Sequence, residues 1–249
     1  MNLQSTLKPI ALRPGLLKPV TLVCGLAGLG LYGLLYATGM DGRGLLKSGH
    51  PAWIALCVLS ALTGILVFAG TAALKGSARF PRSLPACIAC AAAALCAGAT
   101  GLADLRDGSL IYAVPGILAA LCLAALAVCR IQGARPNFLL HVVVCIHFAL
   151  QLLKLYQINS TDPQTQDYFF QMLACIALTI TAYQLAVHDL GQGQRRWLWL
   201  ASLCALYLCL VSLGSSDTGY YLTGAAWAFT AVPAPRRRKT RQTAEGENA

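Results

Sequence analysis

Charge is what this chain has least of. Only 11% of its 249 residues are Asp, Glu, Lys or Arg, about half the share of an ordinary soluble domain. So little polar surface does not cover a water-soluble globule of this size. The apolar runs contain no Asp, Glu or Arg deep inside a predicted helix, which argues against a carboxylate proton relay, a paired-acid enzyme and a voltage-sensing arginine series. There is no nucleophile elbow, zincin pair, phosphate loop or deaminase signature. Asp217-Thr218-Gly219 has the aspartic-protease spelling, but it opens a predicted membrane helix and has no second copy. Short alternating segments are missing too, which excludes a membrane β-barrel. The loops between apolar runs are about ten residues or shorter, too short for a folded domain on either face.

What remains is apolar and long. Hydrophobic residues make up 57% of the chain, the mean hydropathy is +0.62, and runs approach the roughly 20 residues that span a bilayer core. In lipid each backbone N–H and C=O is satisfied within its own segment, so these runs are helices. The expected fold class is an all-α polytopic membrane helix bundle of eight helices. They lie near 19–39, 52–74, 84–103, 109–129, 137–157, 168–188, 197–213 and 218–234, forming one transmembrane domain over 1–235 before a basic tail at 236–249. Pro51 and Pro163 suit first helical turns, where a missing N–H costs nothing, and Asp162 reads as an N-cap. Trp197 and Trp199 on one side, and Tyr168, Tyr220 and Tyr221 on the other, read as interfacial aromatic belts. The first run is preceded by basic residues like a signal peptide, but it is about twice a normal h-region in length and reads as a retained helix.

Loop charges turn the count into an orientation. Alternating the eight helices places Lys8, Arg13, Lys18, Lys75, Arg79, Arg82, Arg130, Arg135, Arg195, Arg196, Arg236, Arg237, Arg238, Lys239 and Arg241 on one side. These are 15 of the 19 basic residues. Arg43, Lys47, Arg106 and Lys154 fall opposite, with Asp41, Asp104, Asp107, Asp162, Asp167 and Asp217. The positive-inside rule then gives both termini in the cytoplasm. The net charge of +10 follows from this asymmetry and calls for no nucleic-acid partner. Arg236, Arg237, Arg238, Lys239 and Arg241 form a cluster suited to anionic headgroups, at about 1 kcal/mol per residue. Outer loops alternate long and short in both halves, which suggests a four-plus-four parallel repeat; convergence on a hairpin rhythm reads equally well.

Polar side chains within the spans concentrate on the fifth and sixth helices. His147, Gln151 and Lys154 share one helical face, and Asp167 and Gln171 share another. Lys154 and Asp167 are placed to pair at an outer rim. These five residues are the candidate ligand-binding vestibule, against the alternative of a snorkelling lysine and a structural ion pair. His141 and His188, at the opposite end of the same hairpin, are candidate haem or metal ligands; no cofactor is expected. The eleven cysteines all fall inside predicted spans, where they read as small apolar packing residues, including the Cys87-x-x-Cys90 pair. The third helix is rich in small residues (Ala86, Cys87, Ala89, Cys90, Ala91, Ala92, Ala93, Ala94, Cys96, Ala97, Gly98, Ala99 and Gly101). The first carries Gly25 and Gly28 on one side and Gly30, Gly33 and Ala37 on another. Both are expected to be interior and tightly packed, since close backbone approach drives helix association in lipid.

The stretch DPQTQDYFFQMLACIALTITAY, from Asp162 to Tyr183, resembles segments of uncharacterised bacterial multi-pass membrane proteins. The resemblance implies a bacterial inner membrane and carries no activity with it. Three functions compete: a non-catalytic subunit or ligand-sensing module with a membrane-protein partner or a second copy of itself, a small permease for a neutral or lipophilic solute, and an intramembrane enzyme using His141, His147 or His188. The first is expected, because catalysis needs several groups converging on one place and only isolated histidines are visible.

Overall fold

The structure is a computed structural model that describes residues 14–39, 49–72, 74, 83–159, 168–215 and 217–232. Among these residues it is helical without strands. The helices are α1 (Pro14–Gly39), α2 (Pro51–Thr71), α3 (Leu84–Arg106), α4 (Leu110–Gln132), α5 (Phe138–Asn159), α6 (Phe169–Asp189), α7 (Arg195–Val211) and α8 (Thr218–Ala231). A 3-10 turn, Ser212–Gly214, extends α7. The first seven segments are long and apolar enough to cross a membrane, so the chain is a multi-pass membrane protein in contact with the lipid bilayer. α8 is shorter, at 14 residues or about 21 Å against a hydrocarbon core near 30 Å. Residues 233 and 234 of the expected eighth run lie outside the described residues.

Local chemistry sets the helix ends. Pro51 occupies the first turn of α2, and the His50 side chain accepts from the Ala52 N–H at 3.3 Å. Ser83 accepts from the Ala86 N–H and opens α3. Gly108, at φ 78°, supplies the left-handed residue that reverses α3 into α4. Across that turn the Ser109 N–H donates to the Asp104 carbonyl at 2.9 Å. Gly133, at φ 68°, closes α4 in the same way. α6 begins after Tyr168; the expected Asp162 cap and Pro163 fall outside the described residues.

α7 is the hub. It packs against α1, α2, α6 and α8, and 67% of its span is buried, against 22–33% for α1 to α5. α3 and α4 form a tight pair; α4 leads to α5, α5 to α6, and α8 closes the arrangement by packing on α3, α6 and α7. The two halves do not pack alike: α6 runs along α7, whereas α2 and α3, the corresponding pair, share no extensive contact.

Three expectations change here. α1 and α3 are close-packed along one stripe only, and the interior positions belong to α7 and α6. On α1, a Cβ at Gly25 or Gly28 would meet Leu210 Cδ1 at 2.6 Å or Val211 Cγ2 at 2.7 Å, while Gly30 and Gly33 face open space. The aromatic belts shrink as well. Trp197 is exposed, but Trp199, Tyr168 and Tyr221 are buried, and Trp199 and Tyr221 pack into the main apolar core. The third change concerns Asp104. It is not a loop residue: it sits in the last turn of α3 with 2% of its surface exposed.

Candidate functional site

The α3–α4 pair sets the site. A Cβ at Gly101 would lie 2.9 Å from Ile117 N and 3.1 Å from Ala113 O; one at Gly116 would lie 2.9 Å from Gly101 Cα. The two backbones therefore touch at Gly101 and Gly116, which only glycine permits. One turn beyond Gly101, this approach buries Asp104 between helices.

A buried carboxylate in lipid requires a partner. The Lys154 ammonium of α5 ion-pairs with Asp104 Oδ1. Lys154 is 31% exposed, so its stem lies along the protein while its head reaches inward. Its Nζ sits 6.0 Å from the Tyr112 ring centroid, within reach of a cation–π attraction. Tyr112 in turn donates its hydroxyl to Gln157 Oε1, tying α4 to α5. The expected partner of Lys154, Asp167, lies outside the described residues. Helical periodicity identified the lysine, but its partner came from α3, about fifty residues earlier in the chain.

Polar atoms continue down the inner face of α5. Among the described residues, Gln151 Nε2, both ring nitrogens of His147 and Asp104 Oδ2 are buried without a hydrogen-bond partner. His147 is 1% exposed, and Asp104 acts on its ring electrostatically. The rise of a helix puts His147 about 10 Å below Lys154. There it lines a cavity with Ala97, Leu123, Phe148, Tyr220 and Trp227, which is large enough for about one water molecule. Phe148 packs edge-on to Tyr220 and tilted on Trp227, at centroid distances of 6.2 and 5.5 Å. The structure thus places His147, Gln151 and Lys154 along one face of α5, buried at His147 and half-buried at Gln151 and Lys154. Gln171 is half-buried in the first turn of α6.

A second polar group occupies the opposite end of α5. His141 Nε2 lies 3.1 Å from Asp189 Oδ2, and His188 Nδ1 lies 3.9 Å from Asp189 Oδ1. Arg130 of α4 adds its positive charge to the surroundings of Asp189. The two histidines named from sequence therefore meet at a shared carboxylate. No group of three or more His, Cys, Asp or Glu among the described residues is arranged to hold a metal ion. Val144, fully buried, separates this group from His147 on the same face. All eleven cysteines are free thiols; Cys90, Cys175 and Cys209 lie in the main apolar core.

Asp104 is the residue that sequence reasoning missed. Its signal was weak because it stands beside Arg106 and Asp107, before Gly108, in a stretch that reads as a polar turn. The usable clue was the small-residue stripe ending at Gly101, which carries α4 close enough to enclose the next turn of α3. No family model, curated protein or solved structure matches this chain.

Proposed function

We propose that the chain is a non-catalytic, ligand-binding or sensing module of a membrane, with the Asp104, Lys154, Gln151 and His147 column as its binding site. The observation that carries this reading is the buried carboxylate of Asp104, whose Oδ1 pairs with Lys154 and whose Oδ2 has no hydrogen-bond partner among the described residues. Ionisable groups are retained within membrane spans at a cost of several kcal/mol each, and function is the default reason. The surroundings favour binding over passage. The cavity beside His147 is about one water in size, and Val144 and Phe148 pack the face of α5 around it. The basic side of the bundle is assigned to the cytoplasm of a bacterial inner membrane. There Arg236, Arg237, Arg238, Lys239 and Arg241 meet anionic headgroups.

A permease for a neutral or lipophilic solute is the second reading, favoured by the cavity itself. Vesicle swelling separates the two. Proteoliposomes of the purified chain are expected to swell in glycerol or urea no faster than empty vesicles. Swelling that is faster than in empty vesicles and that His147→Ala changes would overturn the binding-module reading. In the cell, the tagged chain is expected to retain a stoichiometric membrane partner through mild-detergent purification.

A further inference from the structure

The chemistry around Asp104 narrows the ligand class, taking the same column as its site. Lys154 brings to Asp104 a primary ammonium with three N–H donors, and the face of Tyr112 stands on its other side. A carboxylate combined with an aromatic face is the pairing that recognises an organic ammonium. A bare alkali cation needs a shell of oxygens. Here, the described side chains that contact or approach Asp104 offer one carboxylate and an aromatic face, not such a shell. Among the described residues, Asp104 Oδ2 has no hydrogen-bond partner, so the carboxylate keeps an acceptor beyond the one that Lys154 uses. Lys154 also enters from the more open edge, its side chain being 31% exposed where Asp104 is 2% exposed. It is attached by a flexible four-carbon stem.

We propose that Asp104 and Tyr112 form a binding site for a small primary ammonium, which Lys154 fills from within the chain as a tethered, displaceable occupant. A free ammonium therefore binds the unaltered protein only in competition with Lys154, and binds more tightly once Lys154 is shortened. Displacement hands the positive charge on Asp104 from α5 to the ligand and releases the contact between α3 and α5, which gives the site a readout.

Chemical rescue tests this. Lys154→Ala removes three methylenes and the ammonium, which are together the atoms of n-propylammonium. The full-length variant is purified in detergent and its thermal unfolding is followed with and without n-propylammonium chloride. Sodium chloride at equal ionic strength and 1-propanol serve as controls. The expected result is that n-propylammonium restores most of the lost Tm, that neither control does, and that Asp104→Asn/Lys154→Ala does not respond. Equal recovery with sodium chloride, or none with n-propylammonium, would overturn the proposal. If Lys154→Ala does not fold on its own, it is expressed and purified with n-propylammonium or with sodium chloride throughout; recovery of folded protein with n-propylammonium alone supports the proposal, and equal recovery or none overturns it. Failure here leaves the binding-module reading intact with another ligand class; solute-driven swelling of vesicles would remove that reading and leave ammonium binding in place.

Discussion

At the scale of single residues, the Asp104–Lys154 pair is asymmetric, and the asymmetry is measurable. Asp104 is enclosed on all sides, whereas Lys154 keeps access to the edge of the bundle. Removing the lysine leaves a carboxylate with nothing to neutralise it, a change that costs about 3–5 kcal/mol at buried pairs. Removing the carboxylate instead frees a lysine that snorkels toward water or headgroups. Lys154→Ala is therefore expected to lower thermal stability in detergent well beyond Asp104→Asn, whose loss is about 1 kcal/mol. Equal losses would show that Lys154 is as enclosed as its partner. Sequence reading found the lysine, because helical spacing alone places His147, Gln151 and Lys154 together. It missed the aspartate, because burial of Asp104 depends on how near α4 comes to α3.

At the scale of elements, that approach rests on two glycines. The Gly101 and Gly116 backbones meet closely enough that an added methyl would strike main-chain atoms that have no rotamer to escape into. Gly101→Ala is expected to destabilise the fold by about 1–3 kcal/mol, as overpacking does, and to weaken the Asp104–Lys154 pair one turn away. Gly33→Ala, facing open space on α1, is its control and is expected to be neutral. Thermal unfolding of both variants in the same detergent decides the matter; similar losses would refute close α3–α4 contact. Elsewhere the Lys18 ammonium of α1 donates to the Val232 carbonyl at 3.0 Å and sits 5.0 Å from the Phe229 ring centroid. It thereby caps the end of the short α8, as basic side chains do at helix C-termini. The small-residue stripes on both helices were visible in the sequence. Which face of each stripe met a neighbour was not, because α1 carries glycines on two sides and only Gly25 and Gly28 find Leu210 and Val211.

At the scale of the molecule, charge separates by end. Among the described residues, Lys18, Arg130, Arg135, Arg195 and Arg196 lie at one end of the bundle and Arg106 and Lys154 at the other. The positive-inside rule assigns the first end to the cytoplasm. With α8 crossing, a fluorescent protein fused after Ala249 is expected to be bright in bacteria, and alkaline phosphatase at the same site inactive. The reverse pattern would mean that α8, at 14 residues, returns without crossing. Either outcome leaves α7 at the centre of the bundle, since its contacts with α1, α2, α6 and α8 do not depend on orientation.

Fold class was determined by composition and periodicity: with 11% charge and runs near the length of a bilayer span, lipid leaves helices as the solution that satisfies the backbone. The number of helices and the polar face of α5 followed from the same local patterns. Tertiary structure alone decided which helix is central, which aromatic rings face inward, and which acid answers Lys154. These depend on distances between segments far apart in sequence, and at Gly101 and Gly116 the approach of two backbones turned an apparent loop aspartate into the buried charge of the site.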